Sequence, residues 1–178
     1  MAFTLPKQAF VALAAVVWSD DSIKKSEGGG LVRAAKESGL AGDDLAAIEK
    51  STKAKVTLDA FEPGAMTDWE KIVTYAVAAW LAQLDGVVTT DENTTLVALG
   101  DRLALPAGTR QRAASAAFDI AVLPEGGRPD RYDFVKLAAR LKEKMLLAGF
   151  VVLMTLMVTV IYNDLTRISW IERLMPWR

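Results

Sequence analysis

The sequence predicts an all-α fold: a helical bundle of two pseudo-repeated hairpins, followed by a single transmembrane helix. Three observations predict it. Residues 11–40, "VALAAVVWSDDSIKKSEGGGLVRAAKESGL", match residues 76–105, "AVAAWLAQLDGVVTTDENTTLVALGDRLAL", at a constant offset of 65 without a gap. Helix-start signals recur along the chain, whereas the period-two alternation of a strand shows only near Val56. Finally, "MLLAGFVVLMTLMVTVIY", Met145 to Tyr162, is eighteen residues without a charge.

Each repeat reads as an apolar helix, a turn carrying Asp, and a second helix starting near Glu, which is a helical hairpin. Across the offset Ala14 falls on Ala79, Leu31 on Leu96 and Leu40 on Leu105. The opening "KQAFVALAAVVW" has the apolar run of a short signal peptide. Its match inside the domain predicts a structural helix instead, with Pro6 in the first turn. "GLAGDDLAAIEK" opens a third helix, capped by Asp43 or Asp44. "KAKVTLDAFEPGAM" links the halves and shows no period. "TDWE" at Thr67 and "TTDE" at Thr89 are capping boxes, in which Thr and a Glu three residues on satisfy one another's backbone donors. "LPAGTRQRAASAAFDIAV" is the counterpart of the third helix. The Pro and Gly of "LPEGGRPD", residues 123–130, mark a loop. Asp130 then caps a long helix that runs into the apolar stretch.

Eighteen helical residues rise about 27 Å, close to the ~30 Å hydrocarbon core of a bilayer. Only Thr155 and Thr159 are polar within the stretch, and each hydroxyl can bond back to the preceding turn. Lys142 and Lys144 stand just ahead of it, where their stems can snorkel, and Tyr162, Trp170 and Trp177 suit the far interface. Arg131, Lys136, Arg140, Lys142 and Lys144 precede the stretch; Arg167, Arg173 and Arg178 follow it. This excess places the N-terminal domain in the cytoplasm. The expected organisation is a helical domain at 1–126, a juxtamembrane helix at 127–144, a transmembrane helix at 145–163 and a short amphipathic extracytoplasmic tail at 164–178. The expected location is the bacterial inner membrane, single-pass, with the C-terminus periplasmic.

Composition removes many chemistries. The chain has no Cys and no His. Disulfides, thiol nucleophiles, imidazole acid–base work and His-ligated zinc or haem are therefore excluded. A net charge of −1 offers no global basic field to nucleic acid. "SEGGGL" at Ser26 lacks the lysine of a phosphate loop and follows no strand, so its glycines predict close helix approach or a kink.

The two turns carry the remaining candidate chemistry. Asp20, Ile23 and Glu27 in the first correspond to Asp85, Val88 and Glu92 in the second. A hairpin brings the end of one helix and the start of the next to the same end, so Asp and Glu converge there. Two readings are open. The acids serve as caps and dipole partners, or the four carboxylates hold a hard cation, Ca2+ or Mg2+. Neither turn has the spacing of an EF-hand loop.

"LAAVVWSDDSIKKSE" and "VAAWLAQLDGVVTTDE" resemble the two repeats of the TerB-like family, the tellurite-resistance B fold. The family pattern is a helix ending in Ala-Asp-Gly, then an aliphatic residue, then Glu. The likeness covers roughly residues 6–122. It departs from the pattern at Asp21, where Gly is usual, and at Ser19 and Leu84, where Ala is usual. The resemblance implies seven or eight short helices and a divalent-cation site at Asp20, Glu27, Asp85 and Glu92. It also implies an association with stress responses, membrane-linked complexes and co-chaperones.

Together these features predict a non-catalytic, membrane-anchored accessory or assembly subunit of a larger inner-membrane complex. Its partners would be membrane protein subunits and the lipid bilayer. The alternative is a membrane-tethered divalent-cation module of the tellurite-resistance kind. A third reading is a co-chaperone adaptor acting by binding alone.

Overall fold

The computed structural model describes residues 4–20, 23, 25–83, 89–123 and 134–166. Seven α-helices lie among them: α1 (Lys7–Val17), α2 (Lys25–Glu37), α3 (Gly42–Ser51), α4 (Asp68–Leu81), α5 (Thr90–Arg102), α6 (Ala107–Ala121) and α7 (Phe134–Thr166). Short 3-10 turns occupy Trp18–Asp20, Leu58–Ala60 and Pro63–Ala65. The described residues contain no strand, and the alternation near Val56 belongs to the irregular link between α3 and α4. By its contacts the chain divides into two compact units, Met1–Lys142 and Glu143–Arg178.

In the first unit α1 and α4 are the central helices. They pack on each other; α1 also packs on α2 and α3, and α4 on α5 and, most extensively, α6. Residues 73 to 80 of α4 are buried without a break, as are residues 12 to 16 of α1. A helix apolar on all sides is stable only where neighbours surround it, and these two helices have them. The signal-like opening is thus core structure, with Phe10 and Leu13 fully buried. Burying a side chain of that size stabilises by roughly 1.5–3 kcal/mol. Leu141, near the end of this unit, is also fully buried and belongs to the same core cluster.

The 65-residue spacing holds for some element boundaries and not for those of α1 and α4. Adding 65 to the bounds of α2 yields those of α5, and the first residue of α3 maps onto the first residue of α6. The two C-caps match as well. After α2, the amides of Gly39 and Leu40 donate to the carbonyls of Lys36 and Ala35 at 2.9 and 3.1 Å. After α5, those of Ala104 and Leu105 donate to Asp101 and Gly100 at 2.9 and 3.1 Å. This pair of bonds needs a left-handed residue, with φ +84° at Gly39 and +53° at Ala104.

Both capping boxes form. The Thr67 and Thr89 hydroxyls accept from the amides of Glu70 and Glu92, and the Glu carboxylates accept in return from the Thr amides at 2.7 and 2.8 Å. At α3 the expectation needs correcting: the N-cap is Ala41, and no side chain caps it. Asp43 and Asp44 lie within the first turn, where the helix dipole favours acids, and the Asp44 carboxylate pairs with Lys7 at 2.9 Å.

Long-range polar contacts tie the irregular segments down. The Trp18 indole N–H donates to the Ser51 carbonyl at 2.8 Å. Arg102 donates to the Asp59 carboxylate and to the Asp59 and Phe61 carbonyls, with its guanidinium 5.4 Å from the centre of the Phe61 ring. Arg110 lies across Gly100, where an added Cβ would stand 2.7 Å from its Cδ and Nε. It donates to the Leu105 carbonyl at 2.6 Å and pairs with Asp101 at 2.7 Å. Burial pushes the Tyr75 hydroxyl above its ordinary pKa, and the Arg110 guanidinium partly opposes the rise. A Cβ at Gly28 would stand 3.3 Å from Ile23 Cγ2 and 3.5 Å from Thr52 Cβ, so one glycine of "SEGGGL" does serve close approach.

Candidate functional site: an exposed apolar helix and two acidic turns

The C-terminal apolar stretch lies within α7, which continues beyond it to Thr166. Residues Ala139–Asp164, 26 in all, are long and apolar enough to cross a membrane by length and composition, and none of the segment's most apolar window is buried. At 1.5 Å per residue they rise about 39 Å, more than the ~30 Å hydrocarbon layer needs. Exposure is not confined to one face. Leu146, Leu147, Phe150, Val151, Val152, Leu153, and then Leu156 and Val158, are each more than half exposed, and Tyr162 is 68% exposed. Leaving a residue of this kind in water forgoes about 1.5–3 kcal/mol. Over about a dozen such residues, covering this surface with an apolar medium would be worth tens of kcal/mol. A surface of this kind fits an apolar environment.

The backbone chemistry suits such an environment. A helix satisfies its own amides and carbonyls, as a hydrocarbon medium requires. The two hydroxyls in the stretch are satisfied too: Thr155 donates to the Val151 carbonyl at 2.9 Å and Thr159 to the Thr155 carbonyl at 2.8 Å. These are the back-bonds expected from their spacing. Arg140, Lys142 and Lys144 are exposed ahead of the apolar residues. Trp170 and Trp177, and the tail from 167 onward, lie outside the described residues, as does Asp130.

The acidic turns come only partly into view. Asp20 ends the 3-10 turn that follows α1, and nothing of its side chain is described. Asp85 and Val88 lie outside the described residues. Glu27 and Glu92 occupy the same place, the third residue of α2 and of α5, and both are half-buried. The Glu92 carboxylate accepts from both the amide and the hydroxyl of Thr89, at 2.8 and 3.0 Å, so its nearest occupation is the capping box. Among the described residues no three acidic side chains gather closely enough to hold a metal ion. Ile23 packs partly buried beside Gly28, the plug position expected between the Asp and the Glu.

Sequence patterns did not single out Arg102, Arg110 or Leu141. Their roles depend on groups brought close by the fold, and no local spacing marks them. Comparison with known protein families, with characterised proteins and with solved structures finds no match to this chain.

Proposed function

We propose that the protein is a non-catalytic accessory or assembly subunit of a larger inner-membrane complex, anchored by α7 as a single transmembrane span. The observation that carries this reading is the exposure of the described apolar side chains of α7 between Leu146 and Tyr162, with the Thr155 and Thr159 hydroxyls internally satisfied. The excess of basic residues before the span puts the N-terminal domain in the cytoplasm and the C-terminus in the periplasm. The domain itself we read as a TerB-like bundle of two repeated hairpins. The offset shared by the bounds of α2 and α5, the starts of α3 and α6, and the two C-caps supports that reading. In this role the helical domain supplies binding surface, and the absence of Cys and His from the sequence leaves few groups for catalysis.

A second reading, a membrane-tethered divalent-cation module, draws on the equivalent placement of Glu27 and Glu92 in α2 and α5. One experiment separates the two. Native mass spectrometry of the protein, extracted gently from its own membrane, reports partner masses and bound ions together. The subunit reading expects a large co-assembly without calcium. A small species carrying calcium, with calcium-dependent melting lost in the Asp20→Asn/Asp85→Asn variant, would replace it with the cation module.

A further inference from the structure

Resting on the reading of α7 as a membrane span, we propose that the part of α7 ahead of the span binds anionic lipid headgroups through Arg140, Lys142 and Lys144. The charge is local. Residues 140 to 144 hold these three bases and one acid, Glu143, in a chain whose net charge is −1. The three bases from Arg140 onward are exposed, whereas Leu141 between them is fully buried. At 100° per residue, Arg140 and Lys144 fall on one side of the helix, and Lys142 on the other. The bases therefore lie on two sides of the helix, flanking the buried Leu141.

Depth along the helix agrees. Met145 opens the uncharged stretch, and Lys144, Lys142 and Arg140 stand about 1.5, 4.5 and 7.5 Å before it along the axis. A headgroup layer extends roughly 5–8 Å beyond the hydrocarbon on each side. With the apolar stretch in the hydrocarbon, all three bases lie at headgroup depth. Arg forks onto phosphate oxygens and Lys meets them as a point charge. Zwitterionic and anionic phospholipids both carry a phosphate, but only the anionic lipid retains net negative charge to favour the cluster. Beyond the apolar stretch the charges are mixed, with Asp164 and Glu172 among Arg167, Arg173 and Arg178.

The test uses the full chain in vesicles of phosphatidylcholine with a minority of phosphatidylglycerol. Spin-labelled forms of the two lipids are added in turn, and electron paramagnetic resonance reads the fraction immobilised against the protein. The expected result is a roughly two- to fivefold preference for phosphatidylglycerol, reduced by high salt. The R140Q/K142Q/K144Q variant should abolish it, and R140K/K142R/K144R should keep it. Equal immobilisation of the two lipids by the unaltered chain, in vesicles that retain it, would overturn the proposal. The cluster would then serve topology or an acidic protein surface. A chain released from the vesicles by alkaline carbonate would overturn the span reading, and this proposal with it.

Discussion

Gly39 and Ala104 hold the same place in two matching C-caps, and both have positive φ. Glycine enters the left-handed region freely, whereas a Cβ crowds the following carbonyl. Ala104 is therefore the strained member of the pair. Ala104→Gly should stabilise the fold by about 0.5–1 kcal/mol, and Gly39→Ala should destabilise it by a similar amount. Thermal unfolding of the full chain in detergent micelles, followed by far-ultraviolet circular dichroism, checks both. Opposite shifts support the equivalence of the caps; an unmoved midpoint in Ala104→Gly would show that the residue carries no strain. Gly100 belongs to the same cap but answers to another neighbour. Its missing Cβ leaves room for Arg110, which satisfies the Leu105 carbonyl and meets Asp101.

Among the helices, α1, α4 and α7 are all strongly apolar, yet they have different fates. Length and surroundings separate them. The eleven residues of α1 and fourteen of α4 are too short to span a bilayer, and α2, α3, α5 and α6 surround them. The apolar part of α7 has the length to cross, and its described side chains are exposed. Charge placed at its centre should then be costly, about 2.5–3.5 kcal/mol for each Arg. Val152→Arg/Leu156→Arg should shift the chain from the membrane pellet to the supernatant of an alkaline carbonate wash. Thr155→Val/Thr159→Val should stay in the pellet, since those hydroxyls are already bonded within the helix. Retention of the double-Arg variant would count against a span here.

For the molecule as a whole, the testable property is topology. The chain has no Cys, so single introduced thiols report cleanly. Lys53→Cys, at an exposed position of the helical domain, should react with a membrane-impermeant maleimide only from the cytoplasmic face. Arg173→Cys should react only from the opposite face. Labelling of both from one side would refute the crossing, and the reverse pattern would invert the orientation while leaving the crossing intact.

The helical class, the two capping boxes, the 65-residue spacing and the uncharged stretch of α7 are legible in the order of residues alone. Each is a local signal: a side chain three residues from its partner, an apolar run, or a repeated order of residue types. Even the back-bonds of Thr155 and Thr159 were legible, because a hydroxyl reaches the preceding turn of its own helix. Of the four candidate carboxylates only the Glu92 contact was legible, through the same capping signal; convergence of the four depends on how two hairpins meet. Tertiary structure decided what depends on distant residues. It drew Asp44 to Lys7 and left α3 without a side-chain cap. It laid Arg110 over Gly100, held the 59–61 segment to Arg102, and buried Leu141 in the core while Arg140 and Lys142 beside it stayed exposed. The physical reason is range: caps and back-bonds act within one helical turn, whereas burial and long-range ion pairs exist only once separate helices pack.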